Sequence, residues 1–208
     1  MRPVKALLRL SLTAALALGL AGCISLLPKS KPAQLYRFTP LVTAAAKPPP
    51  GAGAVGVFDG DGAFQQESAG DRILTITGDR AAYIAEARWA APAQVLFNEA
   101  VDAAFEGSGG HVRLVARGAP SVTDYVLRLD VRNFETRYEA GAEAAPIVVV
   151  RVHAALTRDR NRTLVSEQVF EARVPAGDNR VTAIVAAYKA ALGQVLDKLV
   201  AWANATAQ

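Results

Sequence analysis

The stretch DYVLRLDVRNF, residues 124–134, alternates strictly over its first eight side chains after Asp124. Tyr125, Leu127, Leu129 and Val131 fall on one side, and Val126, Arg128, Asp130 and Arg132 on the other. A period of two with charges confined to one side predicts a strand with one packed face and one wet face. The next run, Ile147 to Leu156, places Val148, Val150, Val152, Ala154 and Leu156 on one face. Thr163 to Val174 then returns after the turn residues Arg158-Asp159-Arg160-Asn161. Three such runs in succession predict an antiparallel meander.

Beyond the meander the period changes. Val181, Ile184, Val185, Tyr188, Leu192, Val195, Leu196, Leu199 and Trp202 form one apolar stripe on a helix running from Asn179 to Ala203, with Asp178 placed to cap it. The opposite side carries Ala183, Ala186, Ala187, Ala190, Gly193, Gln194 and Ala201, where a solvated helix normally shows more Lys and Glu. Ala186, Ala190 and Gly193 are therefore candidate partner contacts. Glycine inside a helix costs about 1 kcal/mol relative to alanine, so Gly193 suggests close approach by a neighbour.

Before the meander, short apolar strands are expected at Leu35 to Thr39, Ala54 to Phe58, Arg72 to Thr77, Ala81 to Ala85 and His111 to Val115. Turn chemistry at Thr77-Gly78-Asp79 joins the third and fourth. A first helix opens with Pro92 at its first helical position, presents Val95, Phe97, Val101, Ala104 and Phe105, and stops at Gly107-Ser108-Gly109-Gly110. Trp89, just before that helix, reads either as the side chain that fixes its starting angle or as a contact for a partner. The expected class is α+β: a largely antiparallel sheet with two helices packed on one face.

With 208 residues, 51% hydrophobic and 20% charged, the chain suits one globular domain with short extensions. Its net charge of +4 is concentrated at the start. Without Arg2, Lys5 and Arg9, the 23 basic residues fall to 20 against 19 acidic ones, which removes the electrostatic case for nucleic acid. Residues 1–22 combine this basic start with an apolar run, LSLTAALALGL, too short to span a bilayer, which is the order of a removable secretory signal. Leu20-Ala21-Gly22-Cys23 resembles the bacterial lipobox, and the chain's sole cysteine stands at the position that is acylated. Two or three acyl chains, at about 0.8 kcal/mol per buried CH₂, anchor firmly. Ile24 at the next position favours the outer membrane. Residues 23–33 form the acylated cysteine and a tether reaching at most roughly 33 Å, and residues 34–208 the domain.

Motifs that could carry chemistry fail on context. Gly51-Ala52-Gly53-Ala54-Val55-Gly56 matches the dinucleotide fingerprint, but prolines precede it and a strand comes after it, the reverse of what the pyrophosphate needs. Asp59-Gly60-Asp61-Gly62 opens like a calcium loop, yet its sixth and twelfth positions hold Phe64 and Gly70, so no metal site is assigned. His111 and His153 are isolated, His153 sharing the wetter strand face with Arg151. No G-x-S-x-G, S-x-x-K or Walker pattern occurs. Glu135 and Glu139 could approach each other beyond a strand end. No catalytic residue and no cofactor are assigned.

In order and spacing the chain resembles the ABC-type transport auxiliary lipoproteins, the PqiC-like family associated with MCE-type lipid transport. The residues that carry this are Tyr36-Arg37-Phe38, the stretch YIAEARWAAP from Tyr83 to Pro92, and Asp124 to Phe134. The stretch Asp59 to Ser68 departs from it in being richer in glycine and acid. The resemblance implies a non-enzymatic periplasmic lipoprotein. It would work with an MCE-domain protein and an inner-membrane ABC permease and ATPase, docking the machinery to the outer membrane, with a homo-oligomer as one arrangement. A competing reading is an envelope assembly lipoprotein serving lipopolysaccharide or β-barrel insertion, which co-purification with a barrel would favour. A lipid-anchored hydrolase is disfavoured by the missing nucleophile motifs.

Overall fold

The computed structural model describes residues 32–38, 54–115 and 122–208. The leader, Cys23, most of the tether and residues 39–53 and 116–121 lie outside them. The described strands are β1 (Gln34–Tyr36), β2 (Val55–Gly60), β3 (Arg72–Thr77), β4 (Arg80–Trp89), β5 (Val112–Val115), β6 (Tyr125–Arg137), β7 (Ile147–Arg158) and β8 (Leu164–Pro175). The helices are α1 (Ala93–Gly107) and α2 (Val181–Thr206).

The long strand β6 organises the sheet because two different strands share one of its edges. Its first residues pair in parallel with β2, Val57 opposite Tyr125, and its last pair in parallel with β3, Thr75 opposite Thr136. The other edge pairs along its whole length with β7, which pairs in turn with β8. The expected meander is present and makes the sheet mostly antiparallel. It is nonetheless mixed, since β1 on β4 and β2 on β5 are also parallel. Alternation reveals a strand and its faces; which distant strand lies beside it depends on the crossover through β3, β4 and α1.

One residue of β6 does not fit alternation. Val131 faces Val152 and Asn133 faces Arg151, leaving Arg132 as a bulge. Without it, Phe134 would point to the wet face. With it, Phe134 and Thr136 join Leu127, Leu129 and Val131 toward the helices, while Asn133, Glu135 and Arg137 turn outward. Phe134 is thereby buried within an aromatic cluster. Its ring lies 5.1 Å from Phe38 and 4.9 Å from Tyr188, and Trp89 meets Phe38 at 4.9 Å.

Both helices share this core with the sheet, α2 lying across β7 and β8 and α1 beside β5. Their starts differ from expectation. Pro92 stands at the N-cap of α1, outside the helix, because its ψ of 135° is extended. The first free donors are satisfied by backbone: Ala93 N–H donates to Gly70 O at 2.9 Å and Gln94 N–H to Ala69 O at 3.2 Å. Asp178 does not cap α2. Its Oδ1 accepts the N–H of Arg180 two residues on, at 2.8 Å, forming a local turn that delays the helix to Val181. The helix also runs to Thr206, past the expected Ala203. β4 extends from the expected Ala85 to Trp89 by passing through Glu86 at a φ of 57°.

Candidate functional site

A cavity lies where the end of β2 passes between α1 and β6. Asp59, Asp61, Gln94 and Asn98 edge it, with Phe64, Phe97 and Leu129 beneath. Its segment contains the two glycines that suggested an ion loop, and their role is steric. A Cβ at Gly62 would sit 1.8 Å from the Leu129 carbonyl oxygen, and one at Gly60 would sit 2.8 Å from the Val126 side chain. The glycines let this strand and the loop after it lie against β6, where Gln65 N–H donates to Val131 O and Val131 N–H to Ala63 O.

Burial pushes the Asp59 carboxyl above the usual range, and the charges of Asp102 and then Asp61 add to it. Asp102 is raised by burial and by Glu106. Among the described residues no group of three His, Cys, Asp or Glu side chains is placed to hold a metal. The cavity measures about 80 Å³, against several hundred for pockets that take small organic ligands. Such a space suits a few waters and is too small for a lipid chain or a nucleotide.

The wet face of the meander carries a second polar cluster. His153 stands between two carboxylates, its Nε2 3.3 Å from Glu167 and its Nδ1 3.8 Å from Asp130. Arg151 beside it faces Glu171 at 3.6 Å. Burial alone would raise Asp130, but the Ala63 N–H and the Arg128 guanidinium outweigh it and hold the carboxyl below its ordinary range. This is a cross-strand charge ladder, with His153 and Arg151 on the wetter face as the alternation requires. His111 is far from it along the fold: its Nε2 bonds the Ala207 carbonyl at 2.8 Å and helps hold the C-terminus.

The remaining sequence candidates separate. Trp89 is 2% exposed and packs on Phe38, Phe134 and Tyr188, so it offers no surface to a partner and its role is the structural one. Ala187, placed by the stripe on the outer side of α2, is 4% exposed and belongs to the core, because the helix is enclosed over a wider arc than its large residues mark. Ala186 and Ala190 are exposed, and nothing lies within 4 Å of a Cβ built on Gly193. Glu135 and Glu139 do not form a pair. Glu135, 2% exposed, is held by Arg137 at 2.6 Å and by Gln65, while Glu139 accepts from Arg173. Sequence reading missed the burial of Glu135, since the bulge at Arg132 sets it on the outward face and the approach of Gln65, from a segment distant in the chain, covers it there.

No described helix is long and apolar enough to cross a membrane. Fold and surface together define an α+β domain with an aromatic core, a cavity of water dimensions and a charge ladder on the outer face of the meander. Residues 69–200, more than half the chain, match the family described as ABC-type transport auxiliary lipoprotein component, and the chain belongs to that family. Among solved structures it is similar to protein XCC0632 from Xanthomonas campestris, at 27% identity and a TM-score of 0.71, over 84% of this chain and 96% of that one. The hypothetical protein CT253 from Chlamydia trachomatis shares the fold at 10% identity and a TM-score of 0.51, over 75% of this chain and 98% of that one. Comparison with curated proteins finds no match.

Proposed function

We propose that this chain is a non-enzymatic auxiliary subunit of an MCE-type ABC lipid transport system. Acylated at Cys23 and held at the periplasmic face of the outer membrane, it docks the transport machinery there. The family match over residues 69–200 carries this reading, because that span includes both helices' packing on the sheet and the family is described as a component of ABC-type transport. The lipobox at Leu20 to Cys23 supports the anchor.

The exposed side of α2 at Ala186, Ala190 and Gly193 is the proposed contact for the transport partner, its side chains there being small and uncharged. Affinity capture of the intact lipoprotein after crosslinking in cells tests the whole reading. The expected capture is an MCE-domain protein with its permease and ATPase. Capture of a β-barrel insertion or lipopolysaccharide assembly component in their place overturns it.

A further inference from the structure

Among the described residues β8 presents the longest strand edge without a pairing strand, twelve residues paired to β7 alone, against three in β1 and four in β5 at the ends of the sheet's path. Ala176 N–H donates to Pro146 O at 2.8 Å, which sets the phase of the ladder. Gln168, Phe170, Ala172 and Val174 direct their backbone groups at β7. Glu167, Val169, Glu171 and Arg173 direct theirs away from it. Pro175 falls in the outward phase, where its missing N–H costs the sheet nothing. The outward side chains are accessible too, Glu167 at 58%, Val169 at 39% and Arg173 at 40%. A long edge of this kind pairs with another strand unless something covers it.

We propose that β8 joins two copies of this chain, antiparallel, about a twofold axis at Phe170. In such an interface each residue meets its counterpart's partner in both directions. A centre at Phe170 sets Glu167 opposite Arg173 of the second copy twice, and Val169 opposite Glu171 twice. It also lies in the middle of the regular segment, which is bounded by the register shift at Val165 and by Pro175. Neighbouring registers are worse. A centre at Val169 opposes Glu167 and Glu171, and a centre at Glu171 opposes that carboxylate to its own copy. A centre at Ala172 keeps Glu171 opposite Arg173, but draws Pro175 into the ladder and leaves Glu167 past its end. Arg173 donates to Glu139 at 2.5 Å within the chain, and its five-donor guanidinium has capacity for a second carboxylate.

Analytical ultracentrifugation of the full chain in a density-matched detergent tests this. The parent protein is expected to show a reversible monomer–dimer equilibrium that weakens with salt. Glu167→Arg and Arg173→Glu should each weaken dimerisation by at least about tenfold. The double variant should restore it, because both partners are exchanged across the axis. Circular dichroism melting of each variant confirms that the monomer is folded. A parent protein that stays monomeric at all concentrations overturns the proposal, as does a double variant that associates no better than the single ones.

Discussion

Trp89 and Tyr188 meet edge to face, ring centroids 5.1 Å apart and planes 86° apart. The contact ties the strand that leads into α1 to the second turn of α2, and Tyr188 in turn accepts a hydrogen bond from Thr136 at 3.2 Å. Burial pushes the Tyr188 phenol well above its ordinary range, so it stays neutral throughout physiological pH. The two helices and β6 are thus joined through one aromatic cluster.

Trp89→Ala removes the largest fully buried side chain of that cluster and is expected to cost about 3 to 5 kcal/mol of stability. Chemical denaturation measures it. Trp89→Phe, which keeps a ring against Phe38, should lose less. A Trp89→Ala protein with an unshifted midpoint contradicts the core assignment.

Gly62→Ala forces a Cβ onto the Leu129 carbonyl, and backbone must move to admit it, at a loss of about 1 to 3 kcal/mol. Gly70 provides the contrast. A Cβ there meets nothing within 4 Å, and Gly70→Ala should change stability by less than about 0.5 kcal/mol. Equal losses at the two positions would show that the close approach of the loop to β6 is not what glycine serves.

Asp59 and Asp130 should respond to acid in opposite senses. The carboxyl of Asp59 is raised above its unfolded value of 3.8, so its charge opposes folding at neutral pH and the penalty disappears as pH falls through the raised value and then 3.8. Asp59→Asn is therefore expected to raise Tm at neutral pH, with the gain vanishing in acid. Asp130 is lowered below 3.8, so it stabilises above that value and the contribution is lost as pH falls through its folded pKa. Asp130→Asn should lower Tm at neutral pH and leave it unchanged at the acid end. Thermal melts across pH decide both.

Cys23→Ser eliminates the sulfur that the lipobox places for acylation and should release the protein from the membrane fraction after a high-salt wash. Retention would show another attachment.

Ala186→Arg or Ala190→Arg sets a charge on the outer side of α2, where solvent accommodates it in the isolated domain. Melting temperature should hold while capture of the transport partner falls, since an interface that buries an unpaired guanidinium is strongly disfavoured. Undiminished capture moves the partner to another face.

Much of this molecule was legible one residue at a time. The alternation at Tyr125 to Val131 and at Val148 to Leu156 identified strands and their inner faces, and the stripe from Ile184 to Leu199 identified the second helix, because periodicity reports which side of an element is dry. Cys23 stands out for a chemical reason, a lone thiol at the position a lipobox would acylate, and it lies outside the described residues. Partnership between distant residues was not legible. That β2 lies parallel to β5 and β6, that Ala69 and Gly70 cap α1, that Arg132 bulges to turn Phe134 inward, and that Glu135 is buried all depend on surfaces far apart in the chain meeting. Local pattern sets the type and wet side of each element. Only burial of one element against another selects neighbours and register.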